Sequence, residues 1–426
     1  CSEHNLLQSA REQSVDQLVF LLREYGHHCK DNAPVHGRVV ECEMWSDSIC
    51  TLTYSGSNPR LTSFPMSAED DKLANAITDV TPKLLMAMES LEIAQKSLNP
   101  NNIGQLNGLV QEYVSALKTA NDVLAPLEFP EAISAFGDYL KQACVYCLRA
   151  GEGFAKGQED MMQALRANRA MCRAQEQLYP LAPLFTPVNE YFLEPAFRKK
   201  NILETFIDPP DSDAGIRHIN NARNERGGLS LYIPENLDKL QPAALVMALH
   251  GGTGHGSDML WSWLREARSR GFVVIAPTSQ GDTWSIMGDD IDKPYLLNYL
   301  EFASEYFTID PDRILLAGMS DGATYALQVG LRSQSPFTHI AAFSGVLDPL
   351  LSIDGQFELA RNRKIYMVHG TLDWMFPIDM AQVANAQLSA AGADITYREI
   401  TDLSHNFARA ELPSLLNWLS PPGETL

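Results

Sequence analysis

The chain has 426 residues, of which 45% are hydrophobic and 20% charged, and its formal net charge is −20. That length exceeds one ordinary domain, and the composition is that of a globular protein able to bury a core in each of two parts. The acid excess argues against phosphate-backbone partners, so no nucleic acid is expected, and no run approaches the ~18 apolar residues of a membrane span.

All seven cysteines, Cys1, Cys29, Cys42, Cys50, Cys144, Cys147 and Cys172, fall in the first 172 residues. Their odd number and the lack of zinc-type paired spacings give no metal site. Cys1 followed by Ser2 resembles a processed bacterial lipoprotein terminus. With no signal segment visible, a cytoplasmic protein is expected, and a lipid-anchored or periplasmic one is the alternative. Residues 1–66 suggest one amphipathic helix, then a hairpin from the alternating "RVVECEMW" and "ICTLTYSG".

Residues 67–200 read as a helical bundle. "DKLANAITDVTPKLLMAMESLEIAQKSL" repeats apolar residues at three- and four-residue intervals and stops at Asn99-Pro100-Asn101. Three more such segments follow with short connections, the pattern of antiparallel helices. Cys144-x-x-Cys147 lies inside one of them with no strand before it, which favours packing over redox chemistry.

From residue 201 the pattern changes. A polar, Pro- and Gly-punctuated connection, "IDPPDSDAGIRHINNARNERGG", leads into short apolar runs: "LSLYI", "ALVMALH", "FVVIAP", "RILLAG", "HIAAFSG", "KIYMVHG" and "ITYREI". Amphipathic helices separate most of them, so residues 201–426 are expected to form a mostly parallel sheet covered by helices on both faces. In such sheets chemistry gathers at the carboxyl ends of the strands.

The suspicious residues fall at those ends. "RILLAGMSDGATYAL" runs from a strand through Gly318-Met319-Ser320-Asp321-Gly322 into a helix, the context of a nucleophile elbow. A serine hydroxyl needs a base, and His405 in "DLSHNFARAE" lies in a loop after the last strand. The acid that orients it should come between the two in chain order. Asp373, just beyond "KIYMVHG", is the first choice; Asp348 is the serious alternative, and Asp402 is weaker. The oxyanion needs two backbone N–H donors. Asp321, the residue after the nucleophile, supplies one. The other should come from "LHGGTG", where Gly252 is the expected donor with Thr253 close behind, and His250 shapes the loop. Trp284 and Trp374, each beyond a strand, are candidates with Thr253 to line an acyl or aryl pocket; ordinary packing is the equal alternative for the tryptophans.

"HGG", "GMSDG", "HGTLDWMFP" and "SHNF", in this order, resemble the α/β-hydrolase fold. More closely, they are similar to its phospholipase/carboxylesterase and polyhydroxybutyrate-depolymerase-like esterases, over about residues 225–420. The resemblance implies a Ser-His-Asp ester hydrolase working through an acyl-enzyme on a small ester or acyl substrate, with no metal or organic cofactor. Asp321 departs from it, because many relatives carry Gln, Ala or another residue there, and this leaves the substrate subfamily open. Two other readings compete. An oligopeptidase-like peptidase usually pairs the hydrolase with a β-propeller, which four helices cannot make. A non-catalytic binding protein on the same scaffold would be expected to have lost a triad member.

Overall fold

The computed structural model describes residues 68–198 and 214–420, apart from 236, 239, 350 and 352–355. The helix and hairpin expected over residues 1–66, with Cys1, Cys29, Cys42 and Cys50, lie outside the described residues.

Four long helices come first: α1 (Ala68–Lys96), α2 (Ile103–Leu124), α3 (Ser134–Lys156) and α4 (Met161–Leu178). Helix α1 starts with Glu69, Asp70 and Asp71, which complement the positive end of its dipole. Its buried face is the stripe Leu73, Ile77, Val80, Leu84, Met88 and Leu91, spaced at three and four residues. Asp160 caps α4 by accepting from the Met162 N–H at 3.0 Å. In α3 the pair Cys144 and Cys147 belongs to the buried stripe between Leu140 and Phe154. Burial pushes the Cys144 thiol up to about 12 and raises Cys147 as well, so both behave as small apolar side chains. A short helix α5 (Thr186–Tyr191) follows.

The sheet has eight strands: β1 (Gly215–Ile219), β2 (Leu229–Ile233), β3 (Ala243–Leu249), β4 (Val273–Pro277), β5 (Ile309–Met319), β6 (His339–Phe343), β7 (Lys364–Gly370) and β8 (Asp394–Ile400). Their order across it is β1-β2-β4-β3-β5-β6-β7-β8. Strands β1 and β2 pair antiparallel, and β2 meets β4 antiparallel; β3 to β8 are parallel. Successive side chains enter opposite cores: Leu245, Met247 and Leu249 face one side, Ala244, Val246 and Ala248 the other. Helices α6 (Leu264–Arg270) and α10 (Leu412–Leu419) cover the Val246 side. The Met247 side is covered by α7 (Lys293–Tyr306), α8 (Asp321–Gly330) and α9 (Ile378–Ala390). Strand β1 lies inside the segment expected to be a connection. It is half-exposed and polar at Arg217 and His218, so no apolar run marks it.

The helical region packs on the Val246 side, and its core is continuous with that of the sheet. Trp261 is the hinge of this contact, meeting Tyr179 at 6.0 Å and Phe192 at 6.1 Å between ring centroids. Around it run ion pairs: Arg265 and Arg409 each reach Glu92 at 3.4 Å, and Arg270 holds Glu194 at 2.5 Å. The carboxylate of Glu92 is held low: burial raises it, but the two guanidinium groups outweigh burial.

Candidate active site

Strand β5 ends at Met319 and α8 begins at Asp321, so Ser320 is the single residue between strand and helix. Its backbone has φ 55° and ψ −120°, a conformation that costs a non-glycine residue about 1–3 kcal/mol. The turn is held to β6 by the Ser320 N–H, which donates to Phe343 O at 2.9 Å. A Cβ on Gly318 would overlap the Gly322 carbonyl, and one on Gly322 would overlap His250 O. Both glycines of the motif are therefore steric requirements of the turn.

His405 Nε2 lies 2.9 Å from Ser320 Oγ. Its Nδ1 lies 3.0 Å from Oδ1 and 2.9 Å from Oδ2 of Asp373. An ionised carboxylate only accepts, so Nδ1 carries the proton and Nε2 offers its lone pair to the serine hydroxyl. Asp373 itself is buried and fully engaged. Its Oδ1 accepts from the Met375 N–H at 3.0 Å and the Phe376 N–H at 2.8 Å, and His369 Nε2 stands 3.3 Å from Oδ2. Burial alone would raise its carboxyl, but the hydrogen bonds from His369, His405 and Phe376 outweigh it and hold Asp373 well below the ordinary carboxylate range.

The competing acids are occupied elsewhere. Asp348 accepts from the Gln328 amide. Asp402 is exposed and pairs with Lys96 at 2.8 Å. His405 spends both ring nitrogens on Ser320 and Asp373.

The loop after β3 comes up beside the elbow. Thr253 N–H donates to Asp282 O at 3.0 Å, whereas the Gly252 and Asp321 N–H groups donate to no partner among the described residues. The Gly252 and Asp321 N–H groups thus stay available to a further acceptor, whereas that of Thr253 is committed within the loop. His250 is buried, and burial pushes its imidazole down to about 3. Being neutral, it donates from Nδ1 to Gly251 O at 2.7 Å and accepts at Nε2 from the Ser279 N–H at 3.1 Å. These bonds join the loop after β4 to the loop after β3. Trp284 supports the same loop from below: it is 3% exposed, stacks on Tyr325 and donates its indole N–H to His250 O at 2.7 Å. Trp374, by contrast, is 40% exposed.

Three residues with no role in the sequence reading also act here. Arg226 staples the loops after β3 and β4, donating to Gly254 O at 2.7 Å, Gly281 O at 2.8 Å and the Ser279 hydroxyl. Arg169, from α4, donates to Thr253 O at 2.7 Å. Neither has a sequence signal, since each works by reaching across the fold. His369 does have one, as the histidine four residues before Asp373 in "HGTLD". On the helical side a cleft of about 540 Å³ lies between α1, α4 and the segment after β8, walled by Met171, Trp261, Phe407 and Arg409. It borders the His405 loop at Asn406 and does not include Ser320. Among the described residues no group of three or more His, Cys, Asp or Glu side chains is placed to hold a metal ion, and no helix is long and apolar enough to cross a membrane.

Residues 288–421, which include Ser320, Asp373 and His405, match the Phospholipase/Carboxylesterase family. Over 121 residues the chain is 25% identical to mouse lysophospholipase-like protein 1, a match covering 28% of this chain and 51% of that one. The chain thus spans about half the length of that relative. Among solved structures it is similar to the thermophilic esterase Est2 of Thermogutta terrifontis, at 17% identity, 50% of this chain, 96% of that one and a TM-score of 0.40. Another is FphF, a fluorophosphonate-binding serine hydrolase of Staphylococcus aureus, at 15% identity, 48% and 99% coverage and a TM-score of 0.39. On its strand order and its family match, the chain has an α/β-hydrolase fold preceded by a helical region and resembles the phospholipase/carboxylesterase hydrolases.

Proposed function

We propose that the protein is a serine carboxylic-ester hydrolase working through an acyl-enzyme. The observation that carries this reading is the hydrogen-bonded chain from Ser320 Oγ through His405 to Asp373, with both links near 2.9 Å, at the carboxyl ends of parallel strands. Ser320 Oγ attacks the ester carbonyl carbon while its proton passes to His405 Nε2. The carbonyl oxygen becomes an anion held by the Gly252 and Asp321 N–H groups, at the N-terminus of α8 where the helix dipole is positive. As the carbon–alcohol bond breaks, His405 returns the proton to the departing alkoxide. Water then repeats the sequence on the acyl-enzyme, and Ser320 is released with its proton. Asp373 stays ionised throughout, keeping the Nδ1 proton in place and stabilising the transient imidazolium.

Ser320→Ala tests this directly. It is expected to remove ester hydrolysis by a factor on the order of 10⁴–10⁶ without unfolding the chain. A fluorophosphonate should label wild type at Ser320 and leave the variant unlabelled. Turnover near wild type in the variant, or labelling at another serine, would refute the mechanism.

A further inference from the structure

Asp321 brings a carboxylate to a position where the mechanism asks only for a backbone N–H. The side chain is half-exposed and lies against the oxyanion loop: a Cβ built on Gly252 would meet Asp321 Oδ2 at 2.7 Å. The Thr283 hydroxyl donates to the same oxygen at 2.6 Å and fixes the carboxylate there. Among the described residues Asp321 forms no ion pair. The two nearby guanidinium groups are committed to carbonyls and a hydroxyl, Arg169 to Thr253 and Arg226 to Gly254, Gly281 and Ser279. Of the other acids of the facing loop, Asp282 and Asp289 are exposed and two are engaged. Asp292 is buried and takes the Gln280 and Ser285 N–H groups, and Asp290 takes the Tyr325 hydroxyl. Asp321 is thus a carboxylate charge fixed beside the N–H groups proposed to hold an oxyanion, with no cation paired to it among the described residues.

Such a charge opposes the developing oxyanion for every ester, and opposes most strongly a substrate that brings its own negative charge. It helps a substrate carrying a cation. We infer that Asp321 is a specificity-determining residue that selects esters with a cationic group near the scissile carbonyl, disfavouring phosphate- or sulfonate-bearing ones. The inference rests on the ester-hydrolase reading above and narrows its substrate class. It also gives a reason for glycine at 252, since any side chain there would displace the carboxylate.

Three butyrate esters of nearly the same shape separate the cases: the choline ester, its neutral 3,3-dimethylbutyl counterpart and the anionic 2-sulfoethyl ester. Wild-type kcat/KM, followed by acid release at low ionic strength, is expected to fall in that order, by about ten-fold per unit of charge. Raising the salt should compress the series. D321N keeps the backbone N–H and an acceptor for Thr283, and should reduce the choline-to-sulfoethyl ratio at least ten-fold; D321S serves if D321N does not fold. A wild-type ratio within two-fold of unity overturns the inference, as does a variant that slows all three esters alike. A wild-type protein that hydrolyses none of the three, and is not labelled at Ser320 by a neutral fluorophosphonate, defeats the ester-hydrolase reading itself.

Discussion

Asp373 serves two imidazoles, and the second has consequences for catalysis. His369 is buried and donates from Nε2 to Phe376 O at 2.8 Å, so the proton on that nitrogen also faces Asp373 Oδ2 at 3.3 Å. The contact draws charge from the carboxylate that supports the His405 imidazolium. Removing it with His369→Leu should leave a more basic Asp373, which stabilises protonated His405 more strongly. Protonated His405 cannot act as the base, so the acid limb of the kcat/KM profile should move to higher pH. Looser alignment of Asp373 should also lower the plateau by about ten-fold. The pH profile is the deciding readout, because a purely structural role for His369 would lower the plateau and leave the limb where it was. The same neighbourhood shows how Asp373 was readable as a candidate from sequence: it follows a buried strand and precedes His405 in the chain. Its hydrogen bonds from Met375 and Phe376 were not, since they depend on how the next few residues turn.

At the scale of elements, legibility followed burial. Strands β3, β4 and β6 are buried along their whole length and read as continuous apolar runs. Strand β1 joins the sheet at its edge, and its half-exposed, polar sequence looks like a linker. "DMLWSWLREARSRG" reads as one amphipathic helix, but the backbone tightens to a 3₁₀ turn at Leu260–Ser262 before α6 resumes at Leu264. The break allows Trp261 to face the helical region and Trp263 to pack on Phe407. Contacts between distant elements leave no local pattern, and two that tie the helical region to the loops of the candidate site are of this kind. Lys96 O accepts from the Ser404 N–H at 2.8 Å, next to His405, and Arg169 reaches Thr253 O at 2.7 Å, next to Gly252. The first is main chain to main chain, so Lys96→Ala should lose only an exposed pair and change kcat/KM less than two-fold. The second depends on the side chain. Arg169→Ala should free the oxyanion loop and lower kcat several-fold to about ten-fold at nearly constant melting temperature, with partial recovery in Arg169→Lys. Equal effects of the alanine variants would show that Arg169 does not position the loop.

For the whole molecule the question is whether the helical and sheet-bearing parts unfold separately. Their sequences change character near residue 200, which suggested a boundary there, yet the folded chain has one core running from Ile77 and Leu84 through Trp261 to Val246 and Leu416. Arg268, whose side chain is fully buried, stands at the junction: it reaches Asn189 O at 3.3 Å and lies over the Tyr179 ring at 5.9 Å. Separating the parts would expose that apolar surface and break the contacts of Arg268 with Asn189 and Tyr179. We therefore propose two sequence regions sharing a single cooperative unit. The distribution of tryptophan makes this measurable. Residues 68–198 contain none, while Trp261, Trp263, Trp284, Trp374 and Trp418 all lie in the sheet-bearing part. The sixth tryptophan, Trp45, lies outside the described residues, so in a Trp45→Phe background fluorescence reports the sheet-bearing part, whereas the far-ultraviolet helix signal reports both. Leu84 is fully buried in α1, and Leu84→Ala should cost about 2–5 kcal/mol. In a shared unit the variant shifts the urea midpoint of tryptophan fluorescence as far as that of the helix signal, and the two curves coincide in wild type and variant alike. In separate units the helix signal splits, and the fluorescence midpoint stays at its wild-type value.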